Sequence, residues 1–173
     1  IIGSCYGSSA PSSFNGPKSI VTIKDIVNAH KLLAKHLGIP KIKLCIGGSL
    51  GGMQVMEWAI ELPAFFEAIV LIATSAKHSA WGIAFNEAQR MALEQQENGL
   101  ETARAIAMLS YRNYTTFSQT QSDPVHKTDN YLAASYMRYQ GKKLANRFTK
   151  ESYYTLTKAM DSHDVGRHQG GIK

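Results

Sequence analysis

The chain has 173 residues, 44% of them apolar and 18% charged, with a net charge of +6. That length and apolar share suit one domain with a sizeable core and exclude a disordered chain. The basic surplus is scattered, densest at GKKLANR (141–147), so it reads as surface charge, with an anionic substrate as a secondary reason for it, and no nucleic-acid partner is expected.

No apolar stretch approaches the roughly 18 residues of a membrane span, so no membrane partner is expected. The start, IIGSCYGSS, lacks the basic region of a signal peptide, and it lacks Met, which suggests further residues upstream. Two cysteines, Cys5 and Cys45, read as buried free thiols in a reducing, cytoplasmic setting.

In chain order, residues 1–5 read as the end of a strand, followed by a Gly/Ser/Pro loop to about residue 21. TIKDIVNAHKLLAKHLGIP then carries Ile23, Ile26, Val27, Leu33, Ala34 and Leu37 on one helical face. Thr22 and Asp25 are spaced as an N-cap and its returning carboxylate, and Gly38 and Pro40 mark the stop. KIKLCIGG reads as a buried strand, LGGMQVMEWAIEL as a helix ending at Pro63, and EAIVLIAT (67–74) as a second buried strand. Strands alternating with helices imply a parallel sheet and an α/β fold.

Past Thr74 the strand signal disappears. Helices are expected near 82–97, 99–112, 129–146 and 150–160, with the polar SQTQSDPVHKTD between the two halves. An all-helical insertion after parallel strands reads as a lid on an α/β core. The expected division is 1–79 for the core, 80–165 for the lid and 166–173 for the start of the return to the core.

Gly47-Gly48-Ser49-Leu50-Gly51 fits the G-x-S-x-G nucleophile elbow, with a strand before it and a helix after it. Small residues two positions either side of Ser49 are expected to let the sharp turn close and leave the hydroxyl exposed. Ser49 is then a candidate nucleophile, and the Leu50 N–H at the helix N-terminus a candidate oxyanion donor. A glycine-rich turn capped by Ser49 is the competing reading. Phosphate binding is disfavoured, because neither G-x-x-x-x-G-K-[ST] nor G-x-G-x-x-G is met.

CIGGSLGGMQVMEWA resembles the elbow segment of the homoserine O-acetyltransferase family of α/β-hydrolase-fold enzymes. SAWGIAFNEAQRMA, ARAIAMLSYRN, SYMRYQGKKLANRF and SYYTLTKAMDSHD resemble that family's successive lid segments, and GSCYGSS a loop after a core strand. The resemblance implies an α/β-hydrolase core with a helical lid. It implies acetyl transfer from acetyl-CoA, as co-substrate, to the hydroxyl of L-homoserine in methionine synthesis. The route would be an acyl-serine at Ser49, with no bound cofactor. It implies a substrate-carboxylate role for Arg112 in LSYRN, and a homodimer through the lid helices. Close relatives use succinyl-CoA or act on serine. An esterase or thioesterase on the same fold, and a non-catalytic α/β module, are the readings from other classes.

The family's chain is roughly twice as long, so this chain reads as a central fragment. The acid and His partners of Ser49 are expected beyond Lys173, and the second oxyanion donor before residue 1. Asp161, His163, Asp164 and His168 follow a lid helix and are expected in a solvated hinge, outside the triad. SSAPSSFNGPKS and EQQENGLE are shorter than the resemblance leads one to expect. Arg90 is expected to pair with a lid carboxylate; Tyr111, Trp81 and Phe85 are expected to pack the lid. For Tyr136, Arg138 and Tyr139, packing is favoured over lining a tunnel or a dimer contact. Met53 and Met56 should fill the core. His30, His36, His78 and His126 lack metal-ligand spacing, so no metal is expected.

Overall fold

The computed structural model describes residues 20–95, 97–167 and 170. The strand expected over 1–5, Cys5 and His168 lie outside them. The elements in order are α1 (Ile23–His36), β1 (Ile42–Gly48), α2 (Leu50–Glu61), a 3-10 turn (Pro63–Phe65) and β2 (Phe66–Ile72). Then come α3 (Ala80–Leu93), α4 (Gly99–Tyr111), α5 (Tyr114–Gln121), α6 (Leu132–Ala145) and α7 (Lys150–Asp161).

α1 starts on the capping box its sequence encodes. Asp25 N–H donates to Thr22 Oγ1 at 3.2 Å, and Thr22 N–H donates to the Asp25 carboxylate at 2.8 Å. Ile23, Ile26, Val27 and Ala34 are buried. Leu33 and Leu37, expected beside them, are 55% and 60% exposed. Leu33 lies at the edge of the apolar stripe, and Leu37 lies past the last turn.

β1 and β2 pair in parallel, from Ile42 opposite Phe66 to Gly48 opposite Ile72, with α2 as their crossover. Val27, Ala34, Trp58 and Phe66 form the core between helices and sheet, with Cys45 half-buried against them. Trp58 stacks on Phe65 and meets Phe66 edge-on, at centroid distances of 5.6 and 5.3 Å. The expectation that both strands are buried is corrected. Leu44 and Ile46, two apart and so on one face, are 49% and 59% exposed, and Ile72 is 54% exposed. Among the described residues the helix packed on both strands is α2, and a second layer for the opposite face is not among them.

The helical layer packs α3 on α4, α4 on α6 and α3 on α7, around Leu93, Leu100, Ala103, Leu144 and Tyr153. Its expected four helices become five. α5 was hidden because YTTFSQTQ has no apolar stripe. Its N-cap Asn113 accepts from Thr116 N–H at 3.2 Å, and Phe117 meets the Tyr136 ring edge-on. Tyr136 is half-buried there, whereas Tyr139 and Tyr111 are 57% and 61% exposed. Trp81 also departs from expectation. It touches Phe85 edge-on but is 75% exposed, in the first turn of α3 where the described residues do not cover it.

The two layers join where the helical layer begins and ends. His78 N–H donates to His163 O at 3.0 Å and Val165 N–H to Ala76 O at 3.0 Å, while Lys77 pairs with Asp164 at 3.0 Å. The expected solvated hinge is therefore corrected for two of its members. His163 is 2% exposed, with Nε2 3.0 Å from Ser75 O. Asp161 accepts from Asn86 Nδ2 at 2.8 Å and from Arg90 Nη2 at 2.7 Å. These are interior polar groups, stabilised because each meets a partner there. α7 also reaches the core directly: Ala159 packs with Ile23 and Met53, with Leu50 and Met160 beside them.

Candidate active site

Ser49 occupies the single residue between β1 and α2, at φ 51° and ψ −120°. A side chain in that region is strained, by about 1–3 kcal/mol. Its neighbours hold it there. Ser49 N–H donates to Ile72 O at 2.9 Å, and Ser49 O accepts from Met53 N–H at 3.1 Å. The strand partner on one side and the first helical turn on the other thus leave the backbone no slack.

Two glycines make the turn possible. A Cβ on Gly47 would lie 2.3 Å from Gly51 O, and one on Gly52 would lie 2.5 Å from Thr74 Cγ2. The expectation for Gly51 is corrected, since a Cβ there meets nothing within 4 Å. The crowded position after the serine is Gly52, because Thr74 follows β2 and crosses above it.

Ser49 is exposed, and its side chain does not cap α2. Among the described residues its hydroxyl makes no hydrogen bond. Leu50 is the first residue of α2, so its N–H is among those a helix leaves without an internal acceptor. The first turn of α2 carries no acidic residue, so no carboxylate offsets the positive end of the helix beside Ser49. An exposed hydroxyl next to a free N–H and a helix N-terminus can attack a carbonyl carbon and hold the oxyanion that results.

Arg112 lies elsewhere, at the end of α4 where α4, α5 and α6 meet. Its guanidinium donates to the Tyr136 hydroxyl and lies over the Tyr136 ring, 5.3 Å from the centroid. An open pocket of about 370 Å³ adjoins it, lined also by Asn113, Thr116, Phe117 and Gln121. Ser49 is on the core and Arg112 on the helical layer, so their relation depends on how those layers are fastened.

That fastening contains Arg90, which was expected to pair with a carboxylate and meets Asp161 and Glu87, and two polar groups that sequence reasoning missed, Asn86 and Gln89. Asn86, Gln89 and Arg90 are all buried on the inner face of α3. Asn86 Nδ2 lies 3.2 Å from His78 Nε2, and the buried Tyr153 hydroxyl donates to Gln89 at 2.6 Å. Burial of His163 pushes its pKa down, opposed in part by the Ser75 carbonyl. The Arg90 guanidinium holds the Glu87 carboxyl below the usual range, and Lys77 does the same for Asp164. Polar residues at helix-face positions were the one available signal for this network. Among the described residues no cluster of His, Cys, Asp or Glu could hold a metal, and no helix is long and apolar enough to cross a membrane.

A family model described as the alpha/beta hydrolase fold matches residues 1–153. The chain belongs to that family. Among curated relatives of this alpha/beta hydrolase-fold chain is a homoserine O-acetyltransferase of Cyclobacterium marinum, 48% identical over 190 residues, covering 98% of this chain and 54% of the relative. Another, of Trichormus variabilis, is 43% identical and covers 96% of this chain and 53% of the relative. A crystal structure of the homoserine O-acetyltransferase from Staphylococcus aureus superposes with a TM-score of 0.81 at 32% identity, over 99% of this chain and 50% of that one. The resemblance read from the sequence is borne out by these likenesses. The chain spans about half the length of the curated relatives it matches.

Proposed function

We propose that the protein carrying this chain transfers an acetyl group from acetyl-CoA to the hydroxyl of L-homoserine, through an acetyl ester on Ser49. The observation that carries the reading is the strained, exposed Ser49 between β1 and α2, in a chain 48% identical to a homoserine O-acetyltransferase. Ser49 Oγ gives up its proton and adds to the thioester carbonyl to form a tetrahedral oxyanion, which collapses to the acetyl ester as the C–S bond breaks. The thiolate leaves and takes up a proton as CoA. The homoserine hydroxyl then attacks the ester carbonyl, its proton returns to Ser49 Oγ, and O-acetylhomoserine departs. Leu50 N–H stabilises the oxyanion of both tetrahedral intermediates.

In this reading the helical layer is a lid, and Arg112 binds the homoserine carboxylate from it. A planar guanidinium suits a carboxylate, and the pocket beside Arg112 is open to receive one. The exposed Tyr111, Tyr114 and Tyr139 on α4, α5 and α6 suit a homodimer through the same helices. Homoserine acetylation is a step of amino-acid synthesis, and in this reading the enzyme works in the cytoplasm.

The test gives the intact protein acetyl-CoA with and without L-homoserine. Ser49 should gain one acetyl mass, Ser49→Ala should not, and homoserine should accelerate thiol release. Thiol release indifferent to homoserine would overturn the transferase reading in favour of a hydrolase.

A further inference from the structure

We infer that His163 is a positioning residue for this transfer, a buried fastener that sets the helical layer against the helix carrying Ser49. The inference rests on the reading above. His163 lies just past α7, at 2% exposure, and its ring meets the core segment that follows β2. Nε2 is 3.0 Å from Ser75 O. A carbonyl only accepts, so Nε2 carries the ring hydrogen and Nδ1 is the bare nitrogen of the neutral ring. Among the described residues Nδ1 has no hydrogen-bond partner: Glu57 Oε1, on α2, is 3.8 Å away and, like the bare nitrogen, can only accept.

The Ser75 contact falls on a segment that shapes the elbow. Ser75 follows Thr74, whose side chain fills the space where a Gly52 side chain would stand. The chain segment carrying His163 packs Ala159 and Met160 against Met53 and Leu50 of α2. The His163 backbone is tied as well, donating to Met160 O and accepting from His78 N–H. The His163 side chain therefore registers α7, and with it α3 and its neighbours, on the Thr74–Ser75 segment that packs against Gly52 of the nucleophile helix. Loosening it displaces the acceptor-binding layer from Ser49 while leaving Ser49 in its own turn.

That separation gives a readout that packing alone would not move, namely the partition of acetyl-Ser49 between homoserine and water. His163→Phe keeps a ring and loses the donor; His163→Gln keeps an amide N–H at the reach of Nε2. In the intact protein, His163→Phe should lower the transfer-to-hydrolysis ratio about tenfold or more, because acceptor position and water exclusion both suffer. Acetylation of Ser49 by acetyl-CoA should stay within about threefold of the parent, and His163→Gln should restore the ratio to within about threefold. Amide exchange at His78 and Val165 should quicken in His163→Phe and not in His163→Gln. A parental ratio in His163→Phe, or equal losses in both variants, overturns the inference. If the parent protein transfers nothing to homoserine, the proposed function fails on its own. Unchanged exchange at His78 and Val165 then overturns the fastener as well, and quickened exchange in His163→Phe alone upholds it.

Discussion

Arg90 Nη2 lies 2.7 Å from Asp161 Oδ2, joining α3 to the end of α7 with the arginine only 3% exposed. Glu87 also binds this guanidinium but is 57% exposed, so Asp161 is the partner shielded from water. Removing it leaves the buried cation only its solvent-facing partner Glu87 and takes from Asn86 its 2.8 Å acceptor. Asp161→Ala should destabilise the protein by about 3 kcal/mol. Asp161→Asn, which keeps an acceptor oxygen, should lose less. Denaturant midpoints at constant slope would measure both.

The elbow makes a prediction that separates two glycines with the same apparent role. Gly47→Ala sets a methyl against the Gly51 backbone at 2.3 Å, which no rotamer change relieves. It should destabilise by about 2 kcal/mol or more and abolish Ser49 acetylation. Gly51→Ala enters open space inside a helix, and should leave stability equal or raise it by up to about 1 kcal/mol. Thermal unfolding of the pair, run side by side, checks the difference.

Ser49 itself is held in a conformation natural only to glycine. Ser49→Gly should therefore raise stability by about 1 kcal/mol while removing the acetyl mass shift entirely. A Ser49→Gly variant less stable than the parent would show that the turn is not strained.

Acid stability should depend on His163. Its pKa lies below the ordinary 6.5, chiefly through burial, so the unfolded chain binds the proton more readily. The stabilising difference is full above pH 6.5 and is lost as pH falls toward the folded value. Glu57, His78, Asp164 and Arg167 surround the ring; His30, also lowered by burial, adds a loss of the same sign. His163→Gln should flatten the stability–pH curve below pH 6.5 without levelling it. Unfolding midpoints from pH 5 to 8 test this, and a curve parallel to the parent's would contradict it.

What was legible in the sequence was local. The Thr22–Asp25 box, the Gly38 stop and the serine turn each depend on residues a few positions apart, and each is found where its pattern lies. Strand burial was misjudged because apolar residues report a need for cover, and cover comes from elsewhere in the fold. α5 escaped notice because caps and side-chain bonds to carbonyls, such as Thr120 to Thr116, sustain it without a stripe. His163 and Asp161 looked solvated in a polar string. Only their contacts, with Ser75 and with Arg90, reveal an interior. Which glycine is crowded after Ser49 likewise depended on where Thr74 comes to rest.

His163 and Ser75 touch although 88 positions separate them, and the ladder beside them joins Ala76 to Val165. The five helices thus depart from the core and return to it at one spot. A segment whose ends meet can be lengthened, trimmed or exchanged without redirecting any strand, as in tolerated domain insertions. The layer bearing Arg112 is in that sense a cassette. It could be exchanged whole while the turn at Ser49 keeps its own bonds, to Ile72 and Met53.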